Sequence, residues 1–326
     1  MTRQGWIPPR RRGPARRRGL SLRLAWFGAL DRECRAQRGS ESVNSTRPNR
    51  HAALLGAATL AAALAGVFAD AAHAQGKLDA RYTVTLGGLP VGRGSWVIDI
   101  ADDHFTATAS GSTAGLIQVF TSGQGQSAAR GTVAGEKLIP STYVSSIATD
   151  RKHDEVRMVI SSGTVKEYVA EPPNVPSPDR VPVTEAHRRG VADPMTASLM
   201  RVPGSGSTFG PQACPRNVAV FDGRMRYDLQ LAFKRLESVR AERGYQGTVV
   251  VCSVVFAPIA GHIPNRAAIK YLTARRDIEA WLAPIAGTRV MVPYRVSIPT
   301  PIGVGVLQAT QFVSMPQPSR TNAKTQ

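Results

Sequence analysis

This sequence predicts a mainly β fold, an antiparallel curved sheet forming a barrel or half-barrel of about ten strands with one or two short helices. Three observations carry that expectation. From Leu78 onward, apolar and polar residues alternate with period two in segment after segment. Gly-Gly, Asp-Asp and Ser-Gly pairs punctuate those segments at hairpin spacing. Neither a parallel βαβ alternation nor an internal repeat of about 20 to 50 residues is visible.

The elements follow in order. LDARYTVTL (78–86) puts Tyr82, Val84 and Leu86 on one side, and Gly87-Gly88 turns the chain into GRGSWVIDI. After an Asp102-Asp103 turn, HFTATASG continues the meander. TAGLIQVF (113–120) reads equally as a short helix or a strand. LIPSTYVSSIAT, EVRMVIS and TVKEYVAE make three more strands, joined by ATDRKHDE and by a tight Ser-Gly turn. Five prolines between Pro172 and Pro182 exclude regular structure and mark 171–183 as a surface loop inside the domain.

DPMTASLMRV is the clearest helix, because Asp193 can cap it, Pro194 suits its first position, and Leu199 and Met200 can pack. VFDGRMRYDLQLAF (220–233) alternates again. Met225, Tyr227, Leu229, Leu231 and Phe233 are expected to face the core, with Asp222, Arg224, Arg226 and Asp228 on the opposite face. In GYQGTVVVCSVVF the unbroken apolar run from Val249 to Phe256 predicts a strand covered on both sides. RDIEAWLAPI, RVMVPYRVSI and IGVGVLQATQF complete the sheet, and residues 314–326 read as a disordered polar tail.

Charge divides the chain. The 326 residues carry 41 Lys and Arg against 23 Asp and Glu, a formal +18. The first 50 residues alone hold 13 Arg against three acids, whereas residues 75–326 hold 28 basic against 19 acidic residues without a dense cluster. A basic patch with interleaved aromatics is missing, so nucleic acid is not an expected partner. Residues 1–42 read as an Arg-rich leader, either disordered or an over-extended gene start with Val43 as the true beginning.

Residues 43–74 have the order of a secretory signal peptide: Arg47, Arg50 and His51, an apolar run from Ala52 to Phe68, then Ala72-His73-Ala74 ahead of Gln75. The run of 17 residues is mostly Ala and Gly, short of the roughly 20 strongly apolar residues a bilayer span needs. No Cys follows the cleavage site and the two arginines are not adjacent, which excludes a lipoprotein and a twin-arginine signal. The expectation is a single β-rich periplasmic domain over 75–313, exported by the general secretory route, with no transmembrane segment after cleavage.

Of the three cysteines, Cys34 lies in the leader, and Cys214 and Cys252 are expected to pair in an oxidising compartment. Closing the loop between them stabilises by about 3 to 4 kcal/mol on loop-closure entropy.

Catalytic chemistry finds little support. No G-x-S-x-G occurs, and Gly204-Ser205-Gly206 lacks the strand-turn-helix setting of a nucleophile elbow. His104, His153, His187 and His262 are scattered singles at turns, so neither a metal nor another cofactor is expected. Asp222, Arg224, Arg226 and Asp228 are the candidate ligand-binding set. Two guanidiniums on one strand face could hold a phosphate or carboxylate bidentately. The plainer reading is a ladder of ion pairs to neighbouring strands, each exposed pair contributing about 0.2 to 1 kcal/mol. Asp222-Gly223 also has the form of a turn, which would take Asp222 out of the set.

The succession of DPMTASLM, a Cys, VFDGRMRYDLQL, GYQGTVVVCSVVFAPIAGH, AWLAP and VPYRV resembles an exported bacterial family, domain of unknown function 3108, over Leu78 to Phe312. FDGRxRYDL and C-x-V-x-(F/Y)-x-P-I-A-G-H are its more specific blocks. The resemblance implies a periplasmic, largely β protein of Gram-negative bacteria and carries over no catalytic residues. The expected function is therefore a non-catalytic envelope protein, either a carrier or binder of an apolar or amphiphilic ligand or an assembly factor, with lipid or another envelope component as partner. The competing expectation is a periplasmic hydrolase acting on cell-wall or lipid material. A large apolar cavity favours the carrier, and convergent carboxylates or a His-Asp pair in a polar cleft favour the enzyme. The sequence leaves the oligomeric state open.

Overall fold

Hairpin after hairpin, the chain builds one largely antiparallel sheet. The computed structural model describes residues 75–115, 122–135, 137–215 and 217–318. The expected leader and signal peptide, most of TAGLIQVF and the last eight residues of the expected tail lie outside the described residues.

The first half is a meander of β1 (Gly76–Leu86), β2 (Leu89–Ile100), β3 (His104–Thr113), β4 (Gly123–Ala134), β5 (Lys137–Thr149), β6 (His153–Ser161) and β7 (Thr164–Glu171). Gly87 and Gly88 both take positive φ, +58° and +84°, which makes the two-residue turn between β1 and β2 compatible with the sheet's twist. The second half runs through α1 (Pro194–Ala197), β8 (Met200–Arg201), β9 (Val218–Phe221), β10 (Arg226–Arg240), β11 (Arg243–Gly244) and β12 (Gln246–Ala260). It continues with α2 (Ala267–Ala274), β13 (Ile278–Pro284), β14 (Val290–Thr300) and β15 (Gly303–Pro316). The last strand, β15, returns to pair with β1, giving the order β7-β6-β5-β4-β3-β2-β1-β15-β14-β13-β12-β10-β9.

Among the described residues the sheet has fifteen strands where about ten were expected, and two of the fifteen contain only two residues. One strand the sequence concealed is β4, GQGQSAARGTVA, whose Gly, Gln, Ser and Ala carry no apolar alternation. The expected tail also starts late. Ser314, Met315 and Pro316 pair with Leu78, Lys77 and Gly76, so β15 extends past 313.

The sheet does not close through strand pairing. Its two edges, β7 and β9, are instead joined by residues 189–192. Val191 N donates to Gly163 O beside β7, Ala192 N donates to Ala219 O on β9, and Phe221 N donates to Ala192 O. Around this clasp Val156, Met158, Ile160 and Val165 from one edge pack with Val191 and Phe221. Tyr168 meets Phe221 edge-on at 5.5 Å. Asp193 then caps α1 as expected, its Oδ1 accepting from Met195 N and Thr196 N at 2.9 Å each.

Two larger cores stand back to back across β12–β14. One gathers Leu78, Tyr82, Trp96, Ile98, Phe105, Val249, Val251, Tyr294 and Phe312 inside the curve. The other holds Val250, Cys252, Val254, Leu282 and Met291 under the covering segment that carries Val202, Ala213 and Cys214. Successive residues of the 249–254 run thus point into opposite cores, as expected of a strand covered on both faces. A disulfide joins Cys214 to Cys252 and fastens the covering segment to β12.

Candidate functional site

VFDGRMRYDLQLAF is interrupted where its Asp-Gly suggested a turn. Asp222 Oδ1 accepts from Arg224 N at 2.8 Å and from Met225 N at 2.6 Å, and Gly223 takes φ +91°, so β10 begins only at Arg226. Asp222 therefore serves the turn. Arg224 reaches across the clasp, donating to Pro172 O at 2.9 Å and Asn174 Oδ1 at 3.2 Å in the Pro-rich loop, with Asp154 Oδ2 at 3.2 Å. Arg226 forms an ion pair with Asp228 two residues along its own strand, and Asn217 Nδ2 donates to Asp228 Oδ2 at 3.1 Å. The structure brings Arg226 and Asp228 together, but it holds Asp222 on the backbone N–H groups of the turn and sends the Arg224 guanidinium across the clasp. One ion pair runs along β10 and the other crosses the clasp to Asp154 on β6, while hydrogen bonds tie Arg224 to the Pro-rich loop.

On the apolar side of β10, Leu231 is 4% exposed and Leu229 packs beside it in the core that holds the disulfide. Phe233 is 37% exposed instead of buried. A bulge between Phe233 and Arg235 adds a residue there and bends the strand.

The open space lies elsewhere, on the face of β2–β6 turned away from the core. Strand register sets Ser95, Ser110, Gln126, Ser146 and Glu155 side by side across five strands. Two residues along each strand, Val97, Thr108, Ala128, Val144 and Arg157 form a second row, which Val169 on β7 continues. The rows are about 7 Å apart and roughly 19 Å long, from the residue rise and the strand spacing. Together they floor a trough of about 670 Å³, and an adjoining hollow of about 760 Å³ extends it over β1 and β15.

One row offers hydroxyl and amide groups and the other aliphatic surface. Ser95 and Ser110 join hydroxyls at 2.8 Å. Val97 and Val144 remain open on the trough floor, Val144 at 44% exposure. Arg81 and Arg93 line the adjoining hollow, and neither forms an ion pair among the described residues. At the other end, Arg157 Nε donates to Glu155 Oε1 at 2.6 Å.

A family model described as protein of unknown function, DUF3108, matches residues 81–310. The chain belongs to the DUF3108 family. The matched span takes in every strand of the trough and the clasp. Among solved structures, the DUF3108 chain is similar to the crystal structure of a β-barrel-like protein of domain of unknown function DUF1849 from Brucella abortus, at 8% identity over 74% of this chain and 98% of that one, with a TM-score of 0.40. No curated protein matches the chain.

The histidines of this DUF3108 domain stay apart. His104 Nδ1 lies 2.6 Å from its neighbour Asp103, His153 Nε2 lies 3.8 Å from Glu155, and His187 Nδ1 accepts from Thr184 N at 3.1 Å. Burial lowers the His262 pKa, which favours its neutral form. Among the described residues no three His, Cys, Asp or Glu side chains gather as a metal site, and no helix is long and apolar enough to cross a membrane.

A charged network that sequence reading missed surrounds Trp281. Its Nε1 donates to Glu237 Oε2 at 3.0 Å, and Arg235 links Glu237 to Glu279, on which Lys234 also converges. Burial works to raise the Glu279 pKa, but hydrogen bonds from Arg235 and Lys234 outweigh it and hold the carboxyl below its ordinary range. Each carboxylate of the network is matched to a cation.

Proposed function

We propose that this DUF3108 protein is a non-catalytic, exported envelope protein that binds an extended amphiphile along the trough. The observation that supports the reading is the pair of parallel rows: an aliphatic chain lies along Val97, Ala128 and Val144 while polar groups meet Ser95, Ser110, Gln126 and Ser146. An anionic head group fits toward Arg81 and Arg93, where two cations await a partner. Export rests on the signal-peptide pattern of residues 43–74, which supports a periplasmic setting among lipids and other amphiphiles. The space inside the curve is filled by the aromatic core, so the ligand sits on the outer face of the sheet and not in a central cavity.

Native mass spectrometry of protein purified from the periplasm tests the reading. Wild type should carry a co-purified lipid or other amphiphile. Val144→Asp places a charge in the aliphatic row without disturbing the core and should release that mass. A wild-type protein that carries no adduct, and takes up none from a total envelope lipid extract, rejects the proposal.

A further inference from the structure

Two hairpin tips lie side by side on one rim of the sheet, and both are apolar. Gly87 N in the β1–β2 turn donates to Val304 O beside the β14–β15 turn at 3.0 Å, locking the tips together. Hairpin tips ordinarily carry Gly, Asn, Asp and Ser. Here Leu89 is 63% and Ile302 77% exposed, with Ile298 and Val304 also open beside them.

Antiparallel pairing brings other connections to the same rim. The β5–β6 turn carries Arg151 and Lys152, and the segment joining β12 to β13 through α2 carries Arg266, Lys270 and Arg276. All five side chains are exposed, and none forms an ion pair among the described residues. In strand order these cations flank the apolar tips on both sides, β5–β6 beyond β2 and β12–β13 beyond β14. An apolar point set between cations fits one chemistry in particular. The tips suit the boundary between head groups and acyl chains, and the cations suit the phosphates around it.

We propose that this rim docks the protein peripherally on an anionic phospholipid surface, with Leu89 and Ile302 as the inserted residues. The site shares no residue with the trough, so the docking stands or falls independently of the amphiphile reading.

Flotation of the purified protein with vesicles of phosphatidylcholine alone, and of phosphatidylcholine mixed with phosphatidylglycerol, tests it. Wild type should float with the mixed vesicles, and high salt should weaken the association. The variant Leu89→Ser/Ile302→Ser keeps the net charge and removes only the apolar tips. It should bind at least about tenfold more weakly while unfolding at the wild-type temperature. Leu236→Ser, at an exposed position of β10 outside both the trough and the rim, should float like wild type. Three results overturn the proposal. Wild type failing to float is one. Another is the serine variant floating as well as wild type, which marks diffuse attraction to a basic protein. The third is a wild-type dimer that the serine variant converts to monomer, which assigns the tips to a second copy of the chain.

Discussion

Gly223 is where the two ends of the sheet touch, and replacing it measures that contact. It sits at φ +91° in the turn between β9 and β10, and a Cβ added there would lie 2.3 Å from Val156 Cγ1 on β6. Gly223→Ala therefore carries two penalties: about 1 to 2 kcal/mol for a left-handed backbone with a side chain, and about 1 to 3 kcal/mol for overpacking a buried site. Together they amount to roughly 2 to 5 kcal/mol. Val156→Ala alone removes two buried carbons and leaves a hollow, at about 2 kcal/mol. In the double variant the new Cβ enters the space Val156 has left, so the overlap disappears while the backbone penalty remains. The double variant should then be about 1 to 3 kcal/mol more stable than the sum of the single losses predicts. Urea unfolding followed by the fluorescence of Trp96 and Trp281, both in the main core, reads each value. Strict additivity would show that the β9–β10 turn does not rest on β6 and that the clasp is wrong.

Other outcomes follow from single residues. Leu231→Ala should cost about 2 to 5 kcal/mol and the half-open Phe233→Ala clearly less, so equal losses in urea unfolding would contradict the bulge. Thiol titration of the unreduced, denatured mature protein should find no free cysteine, and Cys214→Ser/Cys252→Ser should lose about 3 to 4 kcal/mol in denaturant unfolding. Asp193 is fully buried, and burial raises its pKa above the ordinary 3.8 despite the hydrogen bonds it accepts. The folded state then binds the proton more tightly than the unfolded one. That contribution to stability is complete below about pH 4 and is lost as pH rises through the raised value. Asp193→Asn keeps a cap oxygen and should lose this dependence, so its stability relative to wild type should improve between acid and neutral pH; parallel pH profiles would refute the assignment.

The strands most legible in the sequence are those that bury one or both faces in large side chains. In β1, Leu78, Ala80 and Tyr82 alternate with Asp79 and Arg81, and in β12 the run of valines feeds two cores at once. The strand β4 gave no such signal because its buried positions are Ala129 and Gly131, which hold little apolar surface and are placed by their neighbours. Helix α2 was equally silent: it lacks a side-chain cap and buries none of its residues. The Asp-Gly turn and the cysteine pair were readable from residue chemistry alone. Arg224's partners were not, since Pro172 O and Asn174 lie about 50 residues away across the clasp. The trough was hidden for a related reason. Ser95, Ser110, Gln126 and Ser146 are unremarkable polar residues in four separate strands, and only the hairpin register lines them up.

Photo-crosslinking from within the trough tests the binding proposal most directly. A photoreactive phenylalanine analogue in place of Ala128, at the centre of the aliphatic row, should capture a lipid or other amphiphile in living cells, and mass spectrometry of the trypsin-released peptide should identify it. The same residue placed at Leu236, which is exposed on β10 away from the trough, should capture none of that species. Equal labelling from both positions, or no amphiphile from position 128, would contradict a ligand held between the two rows.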